Sequence, residues 1–213
     1  MRKVFLERNY ENINKCIFPG KGIYGIPEIK RETYQGCEWI GFNYAATKKS
    51  NREKTGVHFY IDDYQFIRLW NATDRYIPIL RNYKYVMSPD FSIYADFPAA
   101  LQIYNHYRKH WLGAYMQLNG IAVIPSICWG TPESFSWCFE GEPTQSVVSV
   151  SSVGTQMNKK SREFFLCGYR EMLERLQPKQ IIFFGKIPEE CQGNIIPVDT
   201  FCGKFERENT NGW

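Results

Sequence analysis

Apolar and polar positions divide the chain into two zones with different patterns. Residues 1–56 are irregular, because proline and glycine residues between 19 and 27 interrupt them and KKSNREKTG at 48–56 is polar. One strand is predicted inside this zone, at 38–44. We interpret residues 1–56 as an irregular segment packed on the core of an α/β domain at 57–213.

From Val57 onward, short apolar runs alternate with stretches that place an apolar residue every three or four positions. The short runs predict strands at 57–61, 83–87, 121–125, 146–151, 181–185 and 195–199. The periodic stretches predict helices at 63–70, 98–118, 132–139 and 161–176. This alternation favours βαβ units and a mostly parallel sheet. It leaves two architectures open, a doubly wound sheet and an incomplete β/α barrel.

Composition places the chain among globular proteins. Of its 213 residues, 44% are hydrophobic and 23% are charged, close to the globular average. No apolar window reaches the roughly 18 residues of a membrane span, and MRKVFLERNYENINK lacks the apolar region of a signal peptide. We therefore expect a cytoplasmic protein with no membrane partner.

Charge and cysteine content bound the partners and cofactors. The net charge of +4 permits an anionic ligand but is small for a dedicated DNA-binding domain. The seven cysteines are an odd number without a CxxC pair, which favours buried reduced thiols over a zinc ribbon or a disulfide scaffold. No cofactor and no metal is predicted, and a homo-oligomer stays open.

Ligands of parallel α/β sheets bind beyond the carboxyl ends of the strands, where loops and helix N-termini converge. The residues that follow the predicted strands are therefore the candidate site, and they combine an acid, hydroxyls, glycines, a lysine and aromatic rings. The candidate ligand-binding residues are Asp90, Phe91, Ser92, Trp129, Gly130, Ser151, Ser152, Gly154, Thr155 and Lys186.

The segment SVSSVGTQMNKKSR at 149–162 is the most suggestive part of this rim. A strand runs into small hydroxyl residues and a glycine, and the following helix carries basic residues near its first turn. Backbone N–H groups of such a turn, here 151–156, bind phosphate or carboxylate oxygens. The segment has neither the Walker nor the GxGxxG pattern, so an ordinary capped βα connection is the alternative.

Two carboxylates, Asp90 and Asp96, lie in the loop-like stretch MSPDFSIYADFP. Carboxylates beside one pocket can perform acid/base catalysis, hold a metal, or accept hydrogen bonds from a nucleobase or a ribose hydroxyl. Both are the candidate catalytic residues if the protein is an enzyme. The alternatives are a routine turn residue for Asp90 and a helix N-cap for Asp96.

Three further residue types near the rim have competing interpretations. Cys128 is interpreted as a packing residue, because the sequence places no base beside it to form a thiolate. Its neighbour Trp129 is a candidate stacking platform, with core packing as the alternative. His106 and His110 have the spacing of metal ligands, but NHYRKHW lacks the glutamate of HExxH, so the pair is interpreted as part of a polar helix face.

Three motifs in order, SPDFS, GxxxIPxxxWG and SVSSxG, occur within about residues 80–186. This stretch resembles a family of uncharacterised proteins, catalogued as a domain of unknown function and carried by phages, prophages and plasmids of Gram-positive bacteria. The resemblance implies an origin in a mobile element. It implies no established chemistry, so no catalytic residue follows from it.

Three hypotheses for function remain. The first is a binding protein that takes a nucleotide-like, phosphate-bearing small molecule and, in a phage, sequesters a host immune signal. The absence of an evident nucleophile, metal cluster or catalytic histidine favours it over an enzyme. The second is an enzyme acting on nucleotides or nucleic acid, with Asp90 as acid/base or nucleophile. The third is direct DNA binding through residues 1–56 and scattered lysines, for which only the mild positive charge argues.

Overall fold

Residues 6–10, 15–155 and 158–198 are described by the computed structural model of the protein. Position 156 of the predicted phosphate-binding turn and position 199 of the last predicted strand lie outside the described residues. The same holds for the ends of the predicted N-terminal segment and α/β domain, at 1–5 and 200–213.

The elements are numbered in chain order. The strands are β1 (Leu6–Tyr10), β2 (Lys15–Ile17), β3 (Gly20–Lys21), β4 (Ile26–Pro27), β5 (Glu38–Gly41), β6 (Thr55–His58), β7 (Tyr85–Met87), β8 (Val123–Ile124), β9 (Val147–Ser151), β10 (Gln180–Phe184) and β11 (Ile195–Val198). The α-helices are α1 (Phe42–Ala45), α2 (Asp63–Asn71), α3 (Thr73–Leu80), α4 (Ala99–Leu118) and α5 (Lys159–Leu176). Two 3₁₀ helices lie at Arg52–Lys54 and Pro132–Ser136.

Strands β5 to β11 lie side by side in the order in which they occur in the chain. One sheet has the order β5-β6-β7-β8 and another the order β9-β10-β11, and every pair in them is parallel. A parallel bridge between Ser126 and Ser149 joins the two sheets. A doubly wound sheet reverses its strand order at a switch point, and this order does not reverse. The predicted α/β class with a mostly parallel sheet is confirmed.

The sheet curls, so that side chains of its early strands meet those of its late strands. The Phe184 ring of β10 lies 4.7 Å from the ring of Tyr60, 5.0 Å from that of His58 and 6.1 Å from that of Trp39, measured between centroids. Strands this far apart in a sheet touch only when the sheet bends into a barrel wall. Within the described residues β5 and β11 are not paired, so the fold is an incomplete β/α barrel, one of the two architectures left open above.

Helix α5 covers the outer face of β9 and β10. The Phe183 ring packs outward, with its centroid 6.1 Å from that of Phe165 and 6.2 Å from that of Tyr169, while its neighbour Phe184 packs inward. The helix begins beside the end of β9, where the Asn158 side chain accepts a hydrogen bond from a first-turn N–H. This position puts the first turns of α5 at the carboxyl rim of the barrel.

Several boundaries differ from the predicted ones. The strand predicted at 38–44 ends at Gly41, because α1 begins with Phe42, and the helix predicted at 132–139 is a 3₁₀ helix. Helix α3 and the short antiparallel pairs β1–β2 and β3–β4 were not predicted. Strand β5 lies in the irregular zone yet forms the first strand of the barrel wall. None of the helices in the described residues has the length and apolarity needed to traverse a lipid bilayer.

Candidate functional site

A pocket of about 650 Å³ opens at the carboxyl rim of the barrel strands. Its walls come from the segments after β6, β7, β8 and β9 and from the first turns of α5. This is the rim from which the site was predicted. Seven of the candidate residues line it: Asp90, Ser92, Trp129, Gly130, Ser151, Gly154 and Thr155.

Four other candidate residues do not line the pocket. Phe91 is 1% exposed and packs against Phe66, with the Arg108 guanidinium over its ring. Ser152 is also buried, and its hydroxyl donates to the Lys186 carbonyl at 2.7 Å. Lys186 itself is outside the pocket lining, as is Asp96, which lies on an exposed turn.

The turn at 151–155 uses several of its backbone N–H groups in hydrogen bonds within the protein. Ser152 closes it, because its carbonyl accepts the Thr155 N–H at 3.1 Å and the Thr155 hydroxyl at 2.8 Å. The Ser151 hydroxyl accepts the Val153 N–H at 3.2 Å. In the part of the chain that the structure describes, the Gly154 N–H makes no hydrogen bond, so it is the amide of this turn that an anion can use.

Asp90 follows β7 and lies in the pocket lining with one carboxylate oxygen, Oδ1, buried and without a hydrogen-bond partner among the described residues. Burial raises the pKa of Asp90 to about 6, against the opposing effect of the Lys109 charge and a hydrogen bond from Cys128. A ligand that donates a hydrogen bond here would satisfy Oδ1. The same carboxyl group can exchange a proton near neutral pH.

Lys109 of α4 lies buried beside the pocket residue Cys128, and the sequence analysis missed it. Its side chain is 1% exposed, and Nζ donates to the Ser126 carbonyl at 2.9 Å and to Glu142 Oε1 at 2.6 Å. Burial opposes the charge, yet the carboxylates of Glu142 and Asp90 raise the pKa of Lys109, so it stays protonated. No local signal marks it, since its partners come from other segments.

Tyr60 also lines the pocket and was not predicted. Its hydroxyl donates to Ser149 Oγ at 3.0 Å, across the barrel from the segment after β6 to β9. Burial raises the pKa of this phenol well above its ordinary value, so it is a neutral donor and acceptor. The alternation of the run 57–61 was the available signal, because it puts Tyr60 on the face of His58, opposite Val57 and Phe59.

Trp129 lies between the pocket and α5, and Gly168 sets its position. The indole is half-buried, with its ring centroid 5.5 Å from that of Phe165. A side-chain carbon at Gly168 would overlap the Trp129 Nε1, so the missing side chain lets the indole lie against the helix. The neighbouring Cys128 is a neutral thiol, because burial raises its pKa well above the ordinary value.

Gly168→Ala is expected to lower the free energy of unfolding by about 1–3 kcal/mol, because the added methyl overlaps the Trp129 indole. Trp129→Phe removes the five-membered ring that carries the overlapping atoms. The free energy of unfolding of the double variant should therefore fall by less than the sum of the two single decreases, with a difference of about 0.5–3 kcal/mol. Urea unfolding of the four proteins measures this coupling, and strictly additive losses would contradict the assigned contact.

The pH dependence of stability should change in Asp90→Asn. The folded-state pKa of about 6 exceeds the ordinary value of 3.8, so ionisation of Asp90 destabilises the fold. The wild type keeps this contribution below about pH 4 and loses it as the pH rises to about 6. Because Asn does not ionise, the stability of the variant relative to wild type should rise by about 1–3 kcal/mol over that interval. Urea unfolding at several pH values tests this, and a pH-independent difference would refute it.

His106 and His110 were interpreted as part of a polar helix face, and the structure buries that face. Both are 0% exposed, and they face the chain around residues 140–142. The rings lie 4.4 Å apart between centroids, and Trp137 covers His106. They are outside the pocket lining.

The chain is similar to phage proteins over most of its length. A family model described as "Domain of unknown function (DUF4417)" matches residues 18–201. A "Gene 1 protein" of Mycobacterium phage D29 is 34% identical over 204 residues, covering 93% of this chain and 75% of that protein. A "Gene 1 protein" of Mycobacterium phage L5 is 34% identical over 184 residues, covering 86% and 80%. No solved structure gives a significant match. The resemblance to a phage-carried family of unknown function is confirmed.

Proposed function

The chain belongs to the DUF4417 family, and we propose that its rim pocket binds a nucleotide-like small molecule without converting it. The observation that carries the proposal is the meeting, in one pocket of about 650 Å³, of an aromatic wall, an unpartnered carboxylate oxygen and a turn with an open amide. Each of these three features suits one part of a nucleotide.

The aromatic wall suits the base. Trp129, Tyr94, Phe164 and Phe165 all line the pocket, and Tyr94 is 58% exposed. A planar base stacked on such rings gains about 1–3 kcal/mol, with little dependence on which base it is. Stacking therefore explains affinity for a flat ring, and the polar groups have to supply the selectivity.

The carboxylate suits a hydrogen-bond donor of the base or sugar. Asp90 Oδ1 is buried and unpartnered, so an exocyclic amine or a ribose hydroxyl would satisfy it. Ser92 Oγ donates its proton to Asp63 Oδ1 at 2.8 Å, so toward a ligand it is only an uncharged acceptor. Asp90 is thus the acceptor that selects for a donor.

The turn at 151–155, with its unbonded Gly154 N–H, suits a single phosphate group better than a triphosphate. The Gly154 N–H faces no protein acceptor in the described residues, and α5 begins close by in the chain. No lysine or arginine lines the pocket in the described part, whereas Asp62 and Asp90 do; Lys160 lies beside it, 5.5 Å from the Phe164 ring. We therefore infer a nucleoside or nucleoside monophosphate rather than a triphosphate.

Sequestration of a host immune signal is the role that this binding would serve. Both phage relatives are similar over most of this chain, and a phage gains from a protein that removes a host nucleotide signal by stoichiometric binding. Such a protein needs affinity and an enclosed pocket but no catalytic group. The proposal therefore requires that the bound molecule be recovered chemically unchanged.

An enzyme acting on nucleotides is the second candidate, and one observation favours it. Asp90 has a pKa raised to about 6 and lies at the carboxyl rim of a β/α barrel, the position of catalytic groups in that architecture. A carboxyl group with this pKa can act as a general acid or base near neutral pH.

Intrinsic fluorescence tests the binding proposal. Adenosine, AMP and ATP are titrated into the protein, and we expect adenosine or AMP to change the emission, with ATP weaker because of the acidic lining. Trp129→Phe should abolish the change. Trp137→Phe is the matched control, because Trp137 is buried outside the pocket and should leave the response intact. Mass spectrometry of small molecules released by denaturing the purified protein extends the search, and a protein that neither releases nor binds a nucleotide would contradict the proposal.

A further inference from the structure

A second cluster of polar atoms lies buried behind the pocket, between α4 and the turn at 140–142. His106, His110 and Glu142 each direct one ligating atom to a common point, and these atoms lie within 4.8 Å of one another. All three side chains are 0% exposed. The residues come from two segments of the chain, so the cluster is a product of the tertiary fold.

The backbone partners fix which imidazole nitrogens carry the protons. His106 Nε2 lies 3.1 Å from the Glu140 carbonyl, and His110 Nδ1 lies 2.8 Å from the Pro27 carbonyl. A carbonyl only accepts, so each of these nitrogens is the N–H. The other nitrogen of each neutral ring, His106 Nδ1 and His110 Nε2, then carries a lone pair that faces the cluster.

These lone pairs meet other acceptors instead of donors. His106 Nδ1 is buried with no partner in the described residues, and the same is true of Glu142 Oε2. The lone pair of His110 Nε2 faces Glu142 Oε1 at 3.0 Å. Buried acceptors without donors are rare in native proteins because each costs free energy. A cation placed among His106 Nδ1, His110 Nε2 and Glu142 Oε2 would pair with all three acceptors.

We propose that His106 Nδ1, His110 Nε2 and the Glu142 carboxylate bind a divalent metal ion, zinc by the chemistry of the ligand set. Two imidazole nitrogens and a carboxylate are ligands that zinc accepts, at about 2.0–2.2 Å. Each histidine also donates its other N–H to a backbone carbonyl, as metal-bound histidines do.

Gly141 supports the site from its other side. A side-chain carbon there would lie 2.6 Å from the Pro27 carbonyl oxygen and 2.8 Å from His110 Nδ1, and its φ of +76° favours glycine. The missing side chain thus permits the hydrogen bond that orients His110. Lys109 occupies Glu142 Oε1 and leaves Oε2 for the ion. Because the three side chains are buried, an ion held by them would join α4 to the turn at 140–142.

Metal content of the purified protein tests the site without reference to the pocket. The protein is prepared with an affinity tag that contains no histidine, passed through metal-free buffer and measured by inductively coupled plasma mass spectrometry. We expect one zinc ion per chain, an unfolding temperature that falls with a chelator and recovers with zinc, and visible absorption bands after cobalt substitution.

Histidine variants inside and outside the cluster are compared, together with Glu142→Gln. His106→Gln and Glu142→Gln should reduce bound zinc at least about tenfold, whereas the variant of a half-buried histidine outside the cluster, His58→Gln, should retain it. If the cluster variants fail to fold, the wild-type cobalt spectrum and its chelator response decide. The proposal is overturned if the wild-type protein contains no zinc and its unfolding temperature changes with neither zinc nor chelator. A proton shared by His110 and Glu142 would then explain their contact. Zinc retained in His106→Gln would overturn it as well.

Discussion

Lys109→Met is expected to lower the free energy of unfolding by about 3–5 kcal/mol, the cost of breaking a buried ion pair from one side. The Lys109 side chain is 1% exposed and supplies the positive charge beside Glu142 and Asp90. Methionine is an unbranched side chain of similar length, but it leaves the carboxylates of Glu142 and Asp90 beside an uncharged group. The Ser126 carbonyl loses its donor in the same step.

Urea unfolding compares Lys109→Met with a matched control, Lys159→Met. Lys159 is 93% exposed and pairs with Glu163 at 3.9 Å, so its replacement should change stability by no more than about 0.5 kcal/mol. Both variants are measured with zinc and with a chelator, since an ion on Glu142 takes over part of the charge that Lys109 leaves. Equal, small losses in the two variants would contradict the role assigned to Lys109.

Asp90→Asn is expected to weaken nucleotide binding about ten- to a hundredfold, or roughly 1–3 kcal/mol, while wild type returns the nucleotide unchanged. The reason is that Asp90 Oδ1 is a buried acceptor in the pocket. The asparagine side chain carries no charge, and an NH₂ donor replaces one of the two carboxylate oxygens. Calorimetry with the nucleoside monophosphate that gives the Trp129-dependent signal measures the affinity. Chromatography after long incubation tests whether the nucleotide is intact.

The same variant separates a binding protein from an enzyme. If Asp90 performs acid/base chemistry, Asp90→Asn should leave affinity largely intact and lower turnover at least about a hundredfold. The matched control is Asp96→Asn, an identical change on an exposed turn outside the pocket, which should alter neither quantity. Conversion of the nucleotide by wild type would refute the binding proposal in favour of the enzyme.

The affinity measured with wild type should also depend on pH. Because the pKa of Asp90 is about 6, its carboxylate is the better acceptor only above that pH. Binding of a hydrogen-bond donor is therefore expected to tighten as the pH rises through about 6, and this dependence should disappear in Asp90→Asn.

Local elements could be predicted from the sequence because their signals are local. The apolar spacing of three and four residues in α4 and α5 placed both helices within two residues of their observed limits, since a helical face is set by neighbours along the chain. The short apolar runs placed β7, β9, β10 and β11 for the same reason. The general rule that ligands bind at the carboxyl ends of parallel strands then located the rim.

The choice between a doubly wound sheet and a barrel had no local signal. It depends on which strands pair, and the joining contact is a bridge between Ser126 and Ser149, which belong to different runs. Periodicity indicates which face of a strand is buried, but it does not indicate which other strands pair with it. The contacts of Phe184 with Tyr60 and His58 therefore came only with the tertiary structure.

The polar face of α4 is the clearest case in which the sequence pattern did not reveal the tertiary contacts. Its buried residues include His106, Lys109 and His110, which by composition alone belong on a solvated surface. Burial of these groups became possible because Glu142, 33 residues beyond Lys109, supplies the opposing charge. The sequence by itself determined the helix and the rim. The fold decided which polar side chains are buried, because a buried charge is stable only beside a partner that the chain brings from elsewhere.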